Sequence, residues 1–374
     1  MQAGGGTGST DIITMISQLI FTIVFLMMFL GVNQRIQVAL WARDVRGKLA
    51  ILRSYVDDAI SRAVEYLRSA GVRDPHSLVS RVSRYFIVHP VDIEPVDIIR
   101  RLERVLRTKD ETIRSWVLDA LPPEKRGDET LVNNVETLVG IAGALDTLYR
   151  LVRHLFILSL RYNNWALMMQ LVLVMPMLLR VARSYRDAAQ VVSEGRPIGD
   201  GAGPLAAFLL AKKLGVSPEG EAAHNTVYYR AVLDEREVYI IKAKGPGSTV
   251  GRPGEAVENI AKRVGDKLAA IITIDAVLKL EGEETGEVAI GAGVAMGDPG
   301  PEKIKIERIA SRLRIPLHAI GIKMSIEEAI TGMRKEIADA ASRAAKIVED
   351  IVKSVERGKA VIVVGVGNTV GIGQ

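Results

Sequence analysis

The chain has 374 residues, of which 48% are hydrophobic and 25% charged, and its mean hydropathy is +0.18. It contains no cysteine, which excludes disulfides, iron–sulfur clusters, cysteine nucleophiles and thiolate zinc sites. The net charge of +5 is small and no basic block with interleaved aromatic residues occurs, so nucleic acid is not expected as a partner. The low content of amide and thiol side chains is typical of heat-adapted proteins.

An apolar segment without any charged residue, Ile12–Val32, lies near the start of the chain. A helix of this length spans the roughly 30 Å hydrocarbon core of a membrane. No basic residue precedes it, and five basic residues follow: Arg35, Arg43, Arg46, Lys48 and Arg53. The positive-inside rule then predicts a single-pass anchor in the cell membrane, with the N-terminus outside and the C-terminal domain in the cytoplasm. A buried core helix is the alternative interpretation.

A second apolar stretch covers residues 154–183 and is interrupted by Arg161 and Pro176. Basic residues flank it on both sides, so the charge rule predicts no orientation. An arginine within a bilayer costs about 2.5–3.5 kcal/mol on insertion scales, which favours a helix lying against the membrane or packed between subunits. A second span over Tyr162–Leu179 is the alternative, and it would make the chain two-pass.

Composition and periodicity divide the chain into four parts. We expect an N-terminal tail and transmembrane anchor at 1–34, a helical domain at 35–125, a helical region with the second apolar helix at 126–195, and an α/β domain at 196–374. Long helices with apolar stripes, such as those predicted at 35–72 and from 131 onwards, pack most often against each other or against copies of themselves. A homo-oligomer is therefore expected.

From residue 196 onwards, short β-branched runs alternate with helical patterns. The predicted strands are 226–233, 237–243, 268–274, 287–295, 316–322 and 360–366. The predicted helices are 203–214, 253–265, 301–313 and 325–356. This alternation predicts a three-layer α/β domain with a mainly parallel sheet and helices on both faces. Sites in such sheets form beyond the C-terminal ends of the strands.

Three aspartates lie where such a site would form. Asp275 ends the run 268–274, Asp200 precedes the helix 203–214, and Asp298 lies in the Gly/Pro-rich loop after 287–295. Carboxyl groups brought within a few ångströms cannot all be ionised, so one keeps its proton and pairs an acid with a base. Two alternatives stay open: a divalent metal ion held by Asp200 and Asp275, or helix capping and turn formation.

Glycine-rich loops surround these aspartates, and glycine allows the backbone to approach a ligand closely. The predicted ligand-binding residues are Gly199, Gly201, Gly203, Gly245, Gly247, Ser248, Thr249 and Asn368. None of the loops has the Gly-Lys-Ser/Thr of a P-loop, and the last strand–glycine segment has no helix after it. The five histidines show no paired spacing; His224 could reach the site, whereas His318 fits an interior strand position.

Taken in order, "GDGAGP", "ITIDAV", "GAGVAMGDPG" and "RIPLHAIGI" resemble the germination protease and hydrogenase maturation protease superfamily over residues 197–330. The resemblance implies a hydrolase-like sandwich with functional aspartates at Asp200 and Asp275. In the hydrogenase maturation branch, an acidic pair and a histidine bind metal. The strand that ends in Gly-x-Gly-Asn comes last here, which implies a circular permutation that returns Asn368 to the site. The germination branch has His-Pro where this chain has Asp298 and Pro299.

The chain as a whole resembles an uncharacterised archaeal membrane-protein family. Three hypotheses for its function follow from the sequence. The first is a membrane-anchored hydrolase, an aspartate-dependent or metal-dependent peptidase acting on proteins or peptides. The second is a non-enzymatic oligomeric membrane scaffold whose α/β domain binds a ligand or partner. The third is a nucleotide or anion sensor that uses the glycine-rich loops.

Overall fold

The computed structural model describes Met15, Phe25 and residues 17–23, 32–90, 97–297 and 300–374. About half of the predicted span Ile12–Val32 lies outside these residues, and the residues described up to Phe25 are helical. The chain forms two compact units: one contains residues 1–54 and 148–179, and the other contains residues 55–147 and 180–374.

The first half of the described chain is helical. Its helices are α1 (Val32–Ser69), α2 (Pro75–Ser83), α3 (Ile98–Ala120), α4 (Glu129–Arg161) and α5 (Trp165–Ser193). Helix α2 begins where the sequence supplies a cap: Asp74 accepts a hydrogen bond from the Ser77 N–H at 3.1 Å, and proline occupies the first helical position. The predicted helices at 35–72 and from 131 onwards are confirmed, with boundaries shifted by a few residues.

The first unit contains parts of α1, α4 and α5. Apolar residues recur on α1 at helical spacing and are buried, as are Met168 and Met175 on α5. Among the described residues, α5 is the one helix long and apolar enough to cross a membrane, a test of length and composition alone. Only 22% of its apolar window is buried, and Leu173 and Met177 are exposed. Helix α5 therefore presents an unburied apolar face.

The second half contains seven described strands and five helices. The strands are β1 (Pro218–Ala223), β2 (Thr226–Leu233), β3 (Arg236–Ala243), β4 (Leu268–Leu278), β5 (Val288–Ala292), β6 (Leu317–Met324) and β7 (Ala360–Gly365). The helices are α6 (Ala202–Lys213), α7 (Pro253–Val264), α8 (Pro301–Leu313), α9 (Ile326–Ile330) and α10 (Lys335–Ser354). The six predicted strands are confirmed, and β1 was not predicted.

The strands form one mixed sheet in the order β1-β2-β3-β7-β4-β6-β5. The four central strands, β3, β7, β4 and β6, are parallel, whereas β1, β2 and β5 pair antiparallel at the edges. The expectation of a mainly parallel sheet is therefore correct for the core and wrong for the edges. For β2 the reason is the short turn at Asp234 and Glu235, both with positive φ, because so short a connection joins only antiparallel strands.

Helices cover both faces of this sheet, as a three-layer arrangement requires. Helices α6 and α10 share one apolar core with the sheet, and α7 and α8 share the other. The predicted helix 325–356 is divided into α9 and α10, because the intervening segment pairs with the chain before α6 through a bridge between Gly332 and Ile198.

The connections place a crevice at the C-terminal ends of β4 and β6. The chain after β4 forms β5 and then α8 on one face, whereas the chain after β6 forms α10 on the opposite face. Neighbouring strands whose connections leave to opposite faces create an opening at the sheet edge. Strand β4 also extends beyond β7, whose last residue, Gly365, pairs with Ile274.

Helix α6 lies tightly against this edge through Gly203, and we expect Gly203→Val to destabilise the fold. A Cβ atom there would overlap the carbonyl oxygens of Ile274 and Val366 and lie 2.9 Å from the Val366 nitrogen. Backbone atoms cannot move aside cheaply, so a loss of about 1–3 kcal/mol is expected, seen as a lowered Tm of the full chain in detergent.

The matched control is Gly140→Ala in α4, also a helical glycine, where an added Cβ meets no atom within 4 Å. That substitution should leave the Tm unchanged or raise it slightly, since alanine favours helices by roughly 0.5–1 kcal/mol over glycine. An unchanged Tm for Gly203→Val would contradict the close packing of α6 on the sheet.

Candidate active site

Asp200 and Asp275 line one cavity of about 320 Å³ at the crevice between β4 and β6. Asp275 comes from β4, and Asp200 comes from the single 3₁₀ turn that precedes α6. The rest of the wall is mostly apolar and includes Val250, Met296 and Ile326. The structure therefore brings together the two aspartates that the sequence analysis paired, although 74 residues separate them along the chain.

Asp275 is held at the end of the parallel core, with 5% of its surface exposed. Its Oδ1 accepts the N–H of Ala276 at 2.7 Å, and its Oδ2 accepts the N–H of Gly297 at 3.0 Å. The segment containing Gly297 is itself fixed beside β4, because the Ala295 N–H donates to the Thr273 hydroxyl at 2.7 Å. Both carboxyl oxygens of Asp275 thus have backbone donors, which fixes their orientation toward the cavity.

Asp200 is half-buried and is held by the chain that leaves β7. Its Oδ2 accepts the backbone N–H of Asn368 at 2.8 Å, and Gly367 packs directly on the Asp200 carbonyl, where a Cβ atom would not fit. The first residue before α6 is Gly201, and no side chain caps this helix. The capping alternative for Asp200 is therefore wrong: its carboxylate faces the end of β7.

The two carboxyl groups interact electrostatically. The pKa of Asp275 is raised to about 8, chiefly by burial and also by the negative charge of Asp200, against the opposing effects of the two N–H donors and of Lys303. Burial also raises the pKa of Asp200, opposed by the Asn368 N–H. Near neutral pH the pair consequently retains a proton, which is the condition for one group to act as acid and the other as base.

The described donor set does not fit a divalent cation. No group of three or more histidine, aspartate or glutamate side chains lies close enough to share a metal ion within the described ranges. Three of the four carboxyl oxygens of Asp200 and Asp275 already accept backbone hydrogen bonds. The third predicted acid, Asp298, lies outside the described residues. We therefore derive no step through a metal at this pair.

A larger, polar cleft of about 620 Å³ adjoins the cavity, and both share Val250, Gly251, Met296 and Glu302. Helices α3 and α4 form one side of this cleft. Several predicted site residues lie in it rather than in the cavity: Ser248, Thr249, Asn368 and His224. Burial in the cleft raises the pKa of Glu136 to about 7, despite the opposing charge of Arg114.

Ser248 serves as a structural link within this cleft. Its hydroxyl and the Asn368 side chain are hydrogen-bonded at 3.0 Å, and its backbone N–H donates to Asn134 of α4 at 2.8 Å. Its carbonyl accepts the Thr137 hydroxyl at 3.2 Å. A serine held in this way, with no base beside it among the described residues, fits a loop hydroxyl and not a nucleophile.

Five of the predicted ligand-binding residues are glycines that pack closely against neighbouring segments. Gly199, Gly201, Gly203, Gly245 and Gly247 line neither space; an added Cβ at each would meet neighbouring atoms at close range, mostly backbone. They permit tight chain packing around the site. The glycines that do border the cavity are Gly251, Gly297 and Gly367.

Sequence reasoning also missed the apolar wall and Glu302. The wall includes Val277 and Leu278 from β4 and Met324 from β6, together with Val250, Met296 and Ile326. The place of Val277 and Leu278 beyond Asp275 in the continuous run of β4 was visible in the sequence. The position of Glu302 in the first turn of a predicted helix was visible in the sequence. In the structure its Oε2 accepts the Glu255 N–H at 3.0 Å.

Stability of the folded chain should fall as pH rises between about 4 and about 8. The folded chain keeps the Asp275 proton up to about pH 8, whereas an unfolded aspartate releases it near 3.8, so the folded state binds more protons within this window. The raised pKa of Asp200 acts in the same direction. Each retained proton gives a slope of about 1.4 kcal/mol per pH unit.

Asp200→Asn should make that slope shallower, because it removes the charge that raises the pKa of Asp275 while its amide oxygen still accepts the Asn368 N–H. Thermal unfolding at pH 5, 6, 7 and 8 measures the slope. The control, Asp266→Asn, makes the same chemical change at an exposed position and should leave it unchanged. Equal slopes for wild type and Asp200→Asn would contradict the coupling of the two acids.

Two family models together match nearly the whole chain. The family model described as "Protein of unknown function (DUF1512) N-terminal domain" matches residues 19–195. The model described as "Domain of unknown function (DUF1512) C-terminal" matches residues 198–373. The comparison with curated proteins found no match. The archaeal source and the resemblance to the germination and hydrogenase maturation proteases stay predictions. By its sequence and over both halves, the chain belongs to the DUF1512 family.

Proposed function

We propose that the protein is a membrane-anchored hydrolase that cleaves peptide bonds with the acid–base pair Asp200 and Asp275. The observation that supports the proposal is the coupled pair itself: two carboxyl groups with raised pKa values share a cavity at the C-terminal edge of a parallel sheet. Strongly shifted acids in a cleft at this position of an α/β fold are typical of catalytic sites.

The two acids would take different roles. The charge of Asp200 raises the pKa of Asp275, so Asp200 ionises first and Asp275 retains its proton to about pH 8. Asp200 would accept a proton from water as the water oxygen bonds to the substrate carbonyl carbon. Asp275 would donate its proton to the amide nitrogen as the C–N bond breaks. The proton gained by Asp200 then returns to Asp275 through solvent, which restores the pair.

The energetic cost of the pair also favours catalysis over the scaffold alternative. Raising the pKa of Asp275 from 3.8 to about 8 corresponds to on the order of 5 kcal/mol against its ionised form. A scaffold gains nothing from that cost, since an amide or apolar side chain would fill the same space. Natural chains retain such locally unfavourable groups chiefly at functional sites.

The sensor alternative has less support from the adjoining cleft. Arg107 is hydrogen-bonded to Glu103 and Glu255, and Arg114 pairs with Glu129 and Glu136. Guanidinium groups already paired with carboxylates are poorly placed to bind phosphate without breaking those pairs.

Anchoring in the cell membrane is part of the proposal. It is supported by the uncharged segment Ile12–Val32 and by the exposed apolar face of α5. We propose that the N-terminus lies outside and the C-terminal domain in the cytoplasm, because basic residues follow the segment. Helix α5 shares a unit with the part of α1 that carries Arg43, Arg46 and Lys48, which favours contact with the membrane surface or with another subunit over a second span.

Asp200→Asn and Asp275→Asn should each reduce cleavage of a peptide mixture by at least 100-fold, because each removes one partner of the proton transfer. The full chain in detergent is incubated with the mixture, and products are identified by mass spectrometry. The control Asp266→Asn should retain wild-type activity, and circular dichroism verifies that the variants are folded. Unchanged cleavage by either site variant would overturn the proposal.

Activity should decline as pH rises through about 8, where Asp275 loses its proton. It should also decline at low pH, where Asp200 gains a proton; because the pKa of Asp200 is raised, this occurs at a higher pH than for an ordinary aspartate. The kcat/KM for one cleaved peptide, measured from pH 3 to pH 10, tests this profile. Activity that keeps increasing between pH 8 and pH 10 would contradict the role of Asp275 as the acid.

The absence of cysteine allows a direct test of the membrane orientation, since a single introduced cysteine is the only thiol in the chain. The thiol of Thr7→Cys should react with a membrane-impermeant maleimide in intact cells. The thiol of Glu281→Cys, at an exposed position, should react only after the cells are permeabilised. Labelling of Glu281→Cys in intact cells would place the C-terminal domain outside and contradict the proposed orientation.

A further inference from the structure

The wall of the acidic cavity is unusually apolar for a solvent-accessible space. Val250, Leu278 and Ile326 border it, and they expose 55%, 63% and 54% of their surface respectively. Val277, Met296 and Met324 line the space between them. Large apolar side chains gathered at one exposed opening mark a surface that a ligand covers, because each one is otherwise left in water.

We infer that this cavity selects an aliphatic side chain of the substrate, placed next to the bond that Asp200 and Asp275 act on. The inference rests on the proposed peptidase function and adds the class of substrate: an extended peptide with leucine, isoleucine, methionine or valine beside the cleaved bond. A volume of about 320 Å³ is at the lower end of ligand pockets, which suits one or two side chains.

Charge disfavours acidic and basic side chains in the cavity. An acidic side chain would lie beside ionised Asp200 and beside Glu302, which also lines the cavity, so like charges would oppose its entry. A basic side chain would favour ionisation of both Asp200 and Asp275, and Asp275 would then have no proton to donate. It would also lose water against an apolar wall. An uncharged apolar side chain fills the space and leaves the proton on Asp275.

The wall is supplied by segments that also position the acids. Leu278 lies three residues beyond Asp275 on β4, and Ile326 begins α9, whose start is fixed by a reciprocal cap between Ser325 and Glu328. The apolar side chain and the reacting bond would therefore be held by the same rigid elements, so preference and catalysis are linked geometrically.

The test uses the full chain in phospholipid nanodiscs and peptides that differ only at the residue beside the cleaved bond. These peptides are based on a sequence that the peptide mixture shows to be cleaved. We expect kcat/KM to be at least tenfold higher for leucine than for alanine, and lowest for aspartate and lysine, since removing methylene groups from an apolar pocket costs about 10–200-fold. Ile326→Ser and Leu278→Ser should each reduce the leucine-to-alanine ratio at least threefold.

The control is Ile290→Ser on β5, an equally exposed aliphatic residue that does not line the cavity and should leave the ratio unchanged.

Binding of the same peptides, or of random capped decapeptides with leucine or alanine at the centre, is measured calorimetrically with Asp200→Asn. Cleavage without a leucine preference would overturn the inference alone. Absence of cleavage, with leucine peptides still bound more tightly and dependent on Ile326, would overturn the peptidase function alone. Equal binding of both peptides would overturn the cavity's selectivity.

Discussion

The constraint on which the rest of the site depends is that two carboxyl groups occupy one mostly apolar cavity. Among the described residues, neither Asp200 nor Asp275 forms an ion pair, and the compensating charge acting on Asp275 is that of Lys303. Without such a partner, burial favours the neutral form, and the first charge formed opposes the second. Backbone N–H groups stabilise the pair only in part, so a proton stays bound.

This constraint explains why so much of the surrounding chain is fixed. The helical half takes part in that support: Asn134 of α4 holds the loop at Ser248, Ser248 holds the Asn368 side chain, and the Asn368 N–H holds Asp200. Because these hydrogen bonds are consecutive and largely buried, a displacement of α4 would reach the position of Asp200. The helical segment 129–147 is therefore part of the site's support.

The sequence predicted the strands well because β-branched runs in a parallel core have no polar face to obscure them, as in residues 360–366. It also predicted the meeting of Asp200 and Asp275, since the C-terminal ends of parallel strands share one edge. It could not predict that β7 lies between β3 and β4, because strand order depends on packing between distant segments. The close packing of the glycines was also not predictable: Gly203 faces a neighbouring backbone, and glycine spacing in a sequence does not distinguish such packing from contact with a ligand.

The pKa of each acid is set by burial and neighbouring charge, which raise it, and by N–H donors, which lower it. Asp275 has two N–H donors and Asp200 has one, so donor number alone would make Asp275 the stronger acid. The pKa of Asp275 is nevertheless raised to about 8, because burial and the charge of its neighbour outweigh both donors. The donors then serve to orient a carboxyl group that remains protonated. A protonated, oriented acid beside an ionisable one, in a mostly apolar cavity, is the arrangement from which we propose the donor role for Asp275 and the acceptor role for Asp200.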